Sequence, residues 1–280
     1  MSPITQSGWT RNRSFATLFP PPRQRRRAGI HAASELLETR ARGGLRLNAL
    51  ARLVSDTPEL RDAYAALLSG IRLSAPLASG KSIMITSTQP NEGKTTVASC
   101  LAIAASLAGQ SVLLIDGDLR RPSLASSAGI TNGVGFGEVL GGCAETADTI
   151  YPVELFDDAR GSGGISVMGA GGRSPEFLPS VDWKRARTTF QSISERFGLV
   201  LFDSPPILAA NDALLLAGIV DGVLLVVGAG SADRHEVRKA KDQLEAVGTP
   251  LIGAVLNQFD PKIHGRGNQP YIGYNSDSYR

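Results

Sequence analysis

Residues 86–96 read Thr86-Ser87-Thr88-Gln89-Pro90-Asn91-Glu92-Gly93-Lys94-Thr95-Thr96 and are the strongest indication of the fold in this chain. The apolar run Ile83-Met84-Ile85 precedes it, and a helix-like segment from Val97 to Ala104 follows it. A strand, a tight loop ending in Gly-Lys-Thr and a helix together form a cradle for an anion. Its backbone N–H groups converge at the positive end of the helix dipole. The stretch therefore predicts a phosphate-binding loop.

Two side chains of this loop carry the predicted chemistry. Lys94 supplies a point charge that reaches the outer phosphates of a nucleotide, and the Thr95 hydroxyl is placed to bind Mg²⁺. The usual motif begins with Gly six residues before the lysine, where this chain has Thr88. The residues of the loop predicted to bind the cofactor are Pro90, Asn91, Glu92, Gly93, Lys94, Thr95 and Thr96.

Acidic residues follow two further apolar runs. Asp116 and Asp118 end the run that begins at Val112, and Asp203 ends the run that begins at Leu199. Runs that are apolar on both faces are typical of buried parallel strands, whose carboxyl ends meet at one edge of an open α/β sheet. Carboxylates beside a phosphate loop are the expected second half of a site for ATP and Mg²⁺. The alternative that each Asp caps a following helix or turn stays open.

Strands and helices alternate along the chain, which predicts an α/β fold. We expect a P-loop NTPase with a mostly parallel, doubly wound sheet covered by helices on both faces. The expected strands lie near 82–87, 111–116, 165–168, 199–203, 222–227 and 251–256. The expected helices lie near 56–75, 94–108, 184–196, 210–218 and 233–247, the last capped by Asp233 and ended by Gly248.

The composition predicts three segments. Residues 1–55 hold ten Arg and two Glu, a local charge of +8, and read as a disordered basic arm. Residues 56–264 form the nucleotide-binding domain, and residues 265–280 a flexible tail. The arm has three open interpretations: contact with anionic lipid, contact with nucleic acid, or simple solvation. We regard nucleic acid as the least favoured partner.

The tail holds three of the five tyrosines, Tyr271, Tyr274 and Tyr279, among polar and turn-forming residues. A mobile segment with tyrosine hydroxyls suits a phospho-acceptor, since a tethered substrate gains effective concentration at an active site. The alternative is a plain disordered tail that carries a few aromatic residues.

Three motifs together resemble the bacterial tyrosine kinases (BY-kinases), the autokinases of capsule and exopolysaccharide export. They are Ser87 to Thr95, the run Asp116-Gly117-Asp118-Leu119-Arg120-Arg121-Pro122, and Asp203-Ser204-Pro205-Pro206. The resemblance spans about residues 57 to 260 and implies an ATP- and Mg²⁺-dependent protein-tyrosine autokinase.

The resemblance also implies roles for particular residues. Lys94, Asp116, Asp118 and Asp203 are the implied catalytic set, and Thr95, Asp116 and Asp203 the implied metal set. Asp116 and Asp118 would handle metal and activate the tyrosine hydroxyl, and Asp203 would orient the metal's water shell. Arg120 joins the cofactor-binding residues. Asn257, just after the last strand, sits where an adenine is hydrogen-bonded, or else caps a turn.

Two other functions stay open. ParA/MinD-like ATPase switches share the expected fold, but they typically carry a second lysine where this chain has Gln89. A nucleotide-binding regulatory subunit of a polysaccharide export complex is the other alternative. It is favoured by Ala65 and Leu68, which stand where the kinases carry two arginines that serve subunit contacts in a ring.

The expected location and partners follow from the same features. No segment approaches the ~20 apolar residues of a transmembrane helix, and the arm lacks the apolar core of a signal peptide. We therefore expect a cytoplasmic protein, peripheral at the inner face of the cell membrane. The resemblance implies a membrane-bound polysaccharide co-polymerase or activator as partner, together with self-association.

Overall fold

The computed structural model describes residues 15–17, 46–74, 82–131, 133–155 and 163–259. In these residues eight strands form a single sheet. The strands are β1 (Phe15–Thr17), β2 (Ser82–Ser87), β3 (Val112–Asp116), β4 (Tyr151–Val153), β5 (Ile165–Met168), β6 (Leu199–Asp203), β7 (Gly222–Gly228) and β8 (Leu251–Asn257).

The order of the strands is β1-β8-β7-β2-β6-β3-β5-β4. Every pair is parallel except β4 with β5, which is antiparallel. The central strands β2, β3 and β6 are buried throughout, as the apolar runs within them predict. In register, Asp116 of β3 lies beside Asp203 of β6, so the parallel pairing brings two acids to one edge of the sheet.

Helices cover both faces of the sheet. They are α1 (Leu47–Asp56), α2 (Pro58–Arg72), α3 (Lys94–Leu107), α4 (Leu124–Ser127), α5 (Phe136–Leu140), α6 (Trp183–Glu195), α7 (Asp212–Ala217) and α8 (Arg234–Val247). One apolar core lies between the sheet and helices α1, α2 and α3. A second core lies on the opposite face, beneath α5, α6, α7 and α8. The predicted α/β architecture is therefore confirmed.

Helix α1 corrects the predicted boundary of the basic arm at residue 55. Leu47, Leu50, Ala51 and Val54 are buried in the first core. They recur at the spacing of one helical face, a pattern that the arginine-rich composition of residues 1–55 obscured. The domain thus begins no later than residue 47. The helix expected over 56–75 is α2, which starts at Pro58 and is separated from α1 at Thr57.

Several short elements were not predicted. Phe15–Thr17, within the segment expected to be disordered, pairs with β8. The strand β4 and helices α4 and α5 lie between the predicted elements and are each three to five residues long. Short elements like these depend on tertiary contacts, because so few residues carry little periodicity of their own.

The predicted ends of α8 are confirmed. The Asp233 carboxylate accepts a hydrogen bond from the His235 amide at 2.9 Å, and Glu236 reaches back to the Asp233 amide at 3.3 Å. Gly248 ends the helix in the left-handed conformation, with φ of 81°.

The two positions that lack the kinases' arginines have different environments on α2. Ala65 is exposed, whereas Leu68 is buried in the first core beside Leu67 and Ile71. An arginine at 68 would place a charge in this core, so the departure from the family pattern at that position is tied to how α2 packs here.

None of the helices in the described ranges combines the length and the apolar character needed to cross a membrane.

The burial of α1 yields a stability prediction. Replacing Leu50, which is 2% exposed, by Ala should lower the free energy of unfolding by about 2–5 kcal/mol, since it leaves a cavity against α3. Denaturant unfolding monitored by circular dichroism measures the effect. The exposed neighbour Arg52 provides the control, because Arg52→Ala should change stability by under about 0.5 kcal/mol. Equal, small effects of both substitutions would mean that residues 47–56 are not part of the core.

Candidate active site

The phosphate loop lies between β2 and α3, and its backbone adopts a conformation that only certain residues allow. Asn91 and Gly93 both have positive φ, 67° and 88°. Asn tolerates the left-handed region better than most residues, and Gly enters it without steric cost. At position 93 a Cβ would also collide with the Asn257 side-chain amide. The loop therefore requires Gly93 for two independent reasons.

Glu92 holds the loop from inside. Its carboxylate is 1% exposed and accepts hydrogen bonds from the Thr88 hydroxyl (2.8 Å), the Gln89 amide (2.9 Å) and the Gly228 amide (3.1 Å). Glu92 was predicted to bind the cofactor, but its side chain is engaged within the protein, joining the loop to the end of β7. The side chain is therefore not available to a nucleotide.

Asn257 supports the loop from the end of β8. Its Nδ2 donates to the Glu92 carbonyl at 2.8 Å, and the neighbouring Gln258 donates to the Asn91 carbonyl at 2.9 Å. Of the two interpretations of Asn257, the geometry shows the structural contact with the turn. The role in binding adenine stays a prediction. No sequence pattern predicted that Gly228 and Gln258 would form hydrogen bonds with the phosphate loop.

Lys94 and two acids meet at the mouth of the loop. The Lys94 ammonium nitrogen lies 3.3 Å from Asp118 Oδ2 and 3.9 Å from Asp203 Oδ1. The Thr95 hydroxyl donates to Asp203 Oδ2 at 2.6 Å. The structure thus brings together four of the predicted site residues: Lys94, Thr95, Asp118 and Asp203.

Asp116 is placed differently from the other two acids. Its Oδ2 accepts from the amides of Ser123 and Leu124 at 2.8 and 2.9 Å, and its Oδ1 accepts from the Asp118 amide at 3.2 Å. These contacts agree with the alternative that Asp116 caps a following helix. They hold the segment after β3 against the start of α4. The predicted metal and catalytic roles of Asp116 would use the lone pairs that remain on Oδ1.

Burial raises the pKa of two of these acids. Desolvation raises the pKa of Asp203 to about 7, although the nearby Lys94 charge opposes the shift. Desolvation also raises the pKa of Asp116 to about 6, against the lowering effect of its bonds from Leu124, Ser123 and Asp118. Repulsion from the neighbouring acids adds to both shifts, so desolvation and like charge act in the same direction.

The donor set suits Mg²⁺ bound together with phosphate and water. Among the described residues no group of three or more His, Cys, Asp or Glu is arranged to hold a metal ion alone. Magnesium usually takes only one or two protein oxygens and completes its shell with water and substrate phosphates. Asp203 Oδ1 is buried and has no hydrogen-bond partner in the described part of the chain, so it is free to accept from a metal's water. Thr95 and Asp203 therefore suit a bound Mg²⁺ ion with its shell of water and phosphate oxygens.

The remaining predicted residues lie around this centre. Arg120 is paired with Asp212 of α7, with Nε 2.6 Å from Oδ2, so its predicted contact with the cofactor would require sharing or releasing this partner. Pro90 is exposed in the turn, and Thr96 lies in the first turn of α3. Tyr271, Tyr274 and Tyr279, and the predicted boundary at 264, lie outside the described residues.

Comparisons with known proteins agree with this geometry. The family model of the CobQ/CobB/MinD/ParA nucleotide binding domain matches residues 83–273. Tyrosine-protein kinase YwqD of Bacillus subtilis is 33% identical over 177 residues, 63% of this chain and 72% of the relative. Tyrosine-protein kinase CpsD of Streptococcus pneumoniae serotype 4 is 30% identical over 208 residues, 73% of this chain and 86% of the relative.

A solved structure gives the same result. The kinase domain of the Escherichia coli tyrosine kinase ETK aligns with a TM-score of 0.67 at 28% identity, over 81% of this chain and 84% of that one. The chain belongs to the bacterial tyrosine-kinase family. The resemblance carried by the three motifs is therefore confirmed.

Within this kinase domain, Gln89 stands where the ParA/MinD-like switches typically carry their second lysine. Its Nε2 donates to Glu236 Oε1 at 2.8 Å, which ties the loop to the first turn of α8. A neutral side chain engaged in this way supplies no positive charge to a partner's nucleotide.

The support from Glu92 predicts a loss of nucleotide affinity when it is changed. Glu92→Gln places an amide donor against three donors and should weaken binding of nucleotide about tenfold or more, because the loop loses its internal acceptor. Titration with a fluorescent ATP analogue measures it, with circular dichroism to verify folding. Glu245→Gln, on the exposed surface of α8, is the control and should bind like wild type. Unchanged affinity in a folded Glu92→Gln protein would contradict the supporting role.

The raised pKa of Asp203 predicts a pH-dependent effect of Asp203→Asn on the nucleotide- and metal-free protein. Between about pH 4 and pH 7 the folded state holds a proton that the unfolded state has lost, so ionisation of Asp203 destabilises the fold as pH rises. Relative to wild type, Asp203→Asn should therefore gain unfolding free energy from pH 5 to about pH 7, by up to about 1.4 kcal/mol per pH unit, and the gain should level off by pH 8. Denaturant titrations across this range test it, and a pH-independent difference would show that Asp203 is ionised throughout.

Proposed function

We propose that this chain is an ATP- and Mg²⁺-dependent protein-tyrosine autokinase that acts in the assembly and export of surface polysaccharide. The observation that carries the proposal is the convergence of Lys94, Asp118 and Asp203 at the mouth of the phosphate loop, with Lys94 Nζ 3.3 and 3.9 Å from the two acids. The family relatives named tyrosine-protein kinases support it.

Each residue would have a distinct part in phosphoryl transfer. The amides of the loop and Lys94 would hold the phosphates, while Thr95, Asp203 and the free lone pairs of Asp116 would hold Mg²⁺ directly or through water. The metal, when bound, neutralises charge on the phosphates. Most of the rate enhancement would come from positioning and charge neutralisation, as in phosphoryl transfer generally.

Asp118 is the favoured acceptor for the tyrosine proton. Its Oδ2 faces the site and contacts Lys94, whereas both oxygens of Asp116 already accept main-chain bonds. In the transfer, the tyrosine oxygen forms a bond to the γ-phosphorus, the bond to the bridging oxygen of ADP breaks, and the phenolic proton passes to the Asp118 carboxylate. Asn257 and Arg120 would contribute to binding the nucleotide beyond the phosphates.

The tail and the arm fit the same function. Tyr271, Tyr274 and Tyr279 would be the acceptors, on the same or a neighbouring chain, because tethering raises their effective concentration. A membrane-bound polysaccharide co-polymerase would be the activating partner, and the basic residues of 1–46 would favour an anionic inner membrane surface. The exposed Ala65 and buried Leu68 indicate that self-association, if it uses α2, relies on contacts other than paired arginines.

Radiolabelling separates this function from the two alternatives. Purified protein incubated with γ-labelled ATP and Mg²⁺, with and without the cytoplasmic segment of a candidate activator, should acquire label on tyrosine. Lys94→Ala should lose the label by at least about a hundredfold, and so should the Tyr271/Tyr274/Tyr279→Phe triple variant. Tyr151→Phe, in the folded domain, is the control and should retain it.

The other outcomes are equally informative. Release of free phosphate without protein label would favour an ATPase switch of the ParA/MinD type. Binding of ATP without either signal, even with the activator present, would favour the nucleotide-binding regulatory subunit.

A further inference from the structure

A second cavity, distinct from the nucleotide site, lies on the face of the sheet covered by α6. It opens between α5, the segment after β5 and the start of α6, and has a volume of about 240 Å³. Its lining includes Leu140, Gly141, Arg173, Phe177, Arg185 and Thr189. The volume of the cavity is below the roughly 300–1,000 Å³ that is typical of small-molecule pockets. The cavity therefore suits one side-chain-sized group better than a whole nucleotide.

The guanidinium group of Arg173 is held in a single orientation at this cavity. It stacks on Phe177, 4.2 Å from the ring centroid, and Nη1 donates to the Cys143 sulfur at 2.9 Å. It also lies against Gly141, where any Cβ would collide with it. None of these contacts neutralises the charge, so a planar pair of donors is presented in a fixed position.

Arg185 brings a second positive charge to the same place. It lies in the first turn of α6, and its guanidinium packs against Gly142. The adjacent residue, Gly141, is the one that lies against Arg173. In the described ranges neither arginine forms an ion pair with a carboxylate. Asp182 is the acid at the rim, and its Oδ1 caps α6 by accepting from the Arg185 amide at 3.1 Å. Two guanidinium groups that lack a carboxylate partner among the described residues, and that lie against adjacent glycines, favour a doubly charged anion.

We propose that this cavity binds a phosphotyrosyl group, and that its occupant is the chain's own C-terminal tail after phosphorylation. The proposal rests on the proposed kinase function, which supplies the modified tail. Phe177 and Leu140 match a tyrosine ring, and the two arginines match its phosphate. Residues 265–280 carry Arg266, Asp277 and Arg280, a formal +1, so the tail has no charge complementarity until phosphate adds about −1.5 to −2 per tyrosine.

The tail is long enough to reach the cavity. The described chain ends at Phe259, just past the carboxyl end of β8, and Arg173 follows the carboxyl end of β5. The strand order places β5 five positions from β8, or about 24 Å at 4.8 Å per strand. Tyr271 lies twelve residues beyond Phe259, which span up to about 40 Å when extended. Docking there would keep a phosphorylated tail away from Lys94 and free the nucleotide site.

A synthetic peptide tests the cavity without relying on catalysis. Peptides of residues 266–280, unmodified or phosphorylated on Tyr271, are titrated by fluorescence anisotropy into full-length protein that carries Tyr271/Tyr274/Tyr279→Phe, so that its own tail does not compete. The phosphopeptide should bind at least about tenfold more tightly than the unmodified peptide. Arg185→Gln and Arg173→Lys should each remove about tenfold, whereas Arg187→Gln, on the exposed side of α6, should not.

Further arms separate the cavity from the nucleotide site and from unspecific anion binding. Binding should survive Lys94→Ala and saturating Mg²⁺–ADP. Loss of binding in either condition, or equal binding of both peptides, would overturn the proposal. Competition by inorganic phosphate at the same concentration as the phosphopeptide would also overturn it. If the protein binds the phosphopeptide but never labels itself, the peptide site is supported and the kinase function is refuted. If the protein labels itself but does not bind the phosphopeptide, the kinase function is supported and the peptide site is refuted.

Discussion

Negative charge concentrated around a single ammonium group is the constraint on which the site depends. Parallel pairing of β3 with β6 places Asp116 beside Asp203, and the turn after β3 adds Asp118. All three carboxylates are buried, and Lys94 is their one close cation among the described residues. The pKa values of Asp116 and Asp203 are raised mainly by desolvation, with a smaller contribution from this charge imbalance. Binding of Mg²⁺ would relieve it, which couples stability to the ligand.

The phosphate loop keeps its shape because distant parts of the chain hold it. Glu92 joins it to β7, Asn257 to β8, and Gln89 to the first turn of α8. These bonds satisfy polar groups that burial would otherwise leave unpaired, and they pre-organise the amides for an anion. Because the phosphate loop is already held at three points, a ligand does not have to order it, and less of the binding free energy is spent on fixing the loop.

Different helices cover the two faces of the sheet. Helices α1 and α2 pack on α3, the helix that begins at Lys94. The opposite face carries α6 with its cavity of two arginines. Both the nucleotide site and this cavity lie toward the carboxyl ends of the strands, because that is where the connections of a parallel sheet leave side chains free. In the proposed function, the tail would therefore reach both sites from one edge of the sheet.

The sequence alone determined the phosphate loop, the central strands, the acids at their ends and the caps of α8, because local patterns of apolar and capping residues specify these features. Three features needed the tertiary structure: the inward turn of Glu92, the capping role of Asp116 and the packing of α1. Glu92 meets Gly228 across 136 residues of sequence, and Thr95 meets Asp203 across 108. Bonds between such distant residues leave no local periodicity, so only the packed sheet decides which polar atoms meet the ligand and which hold the protein together.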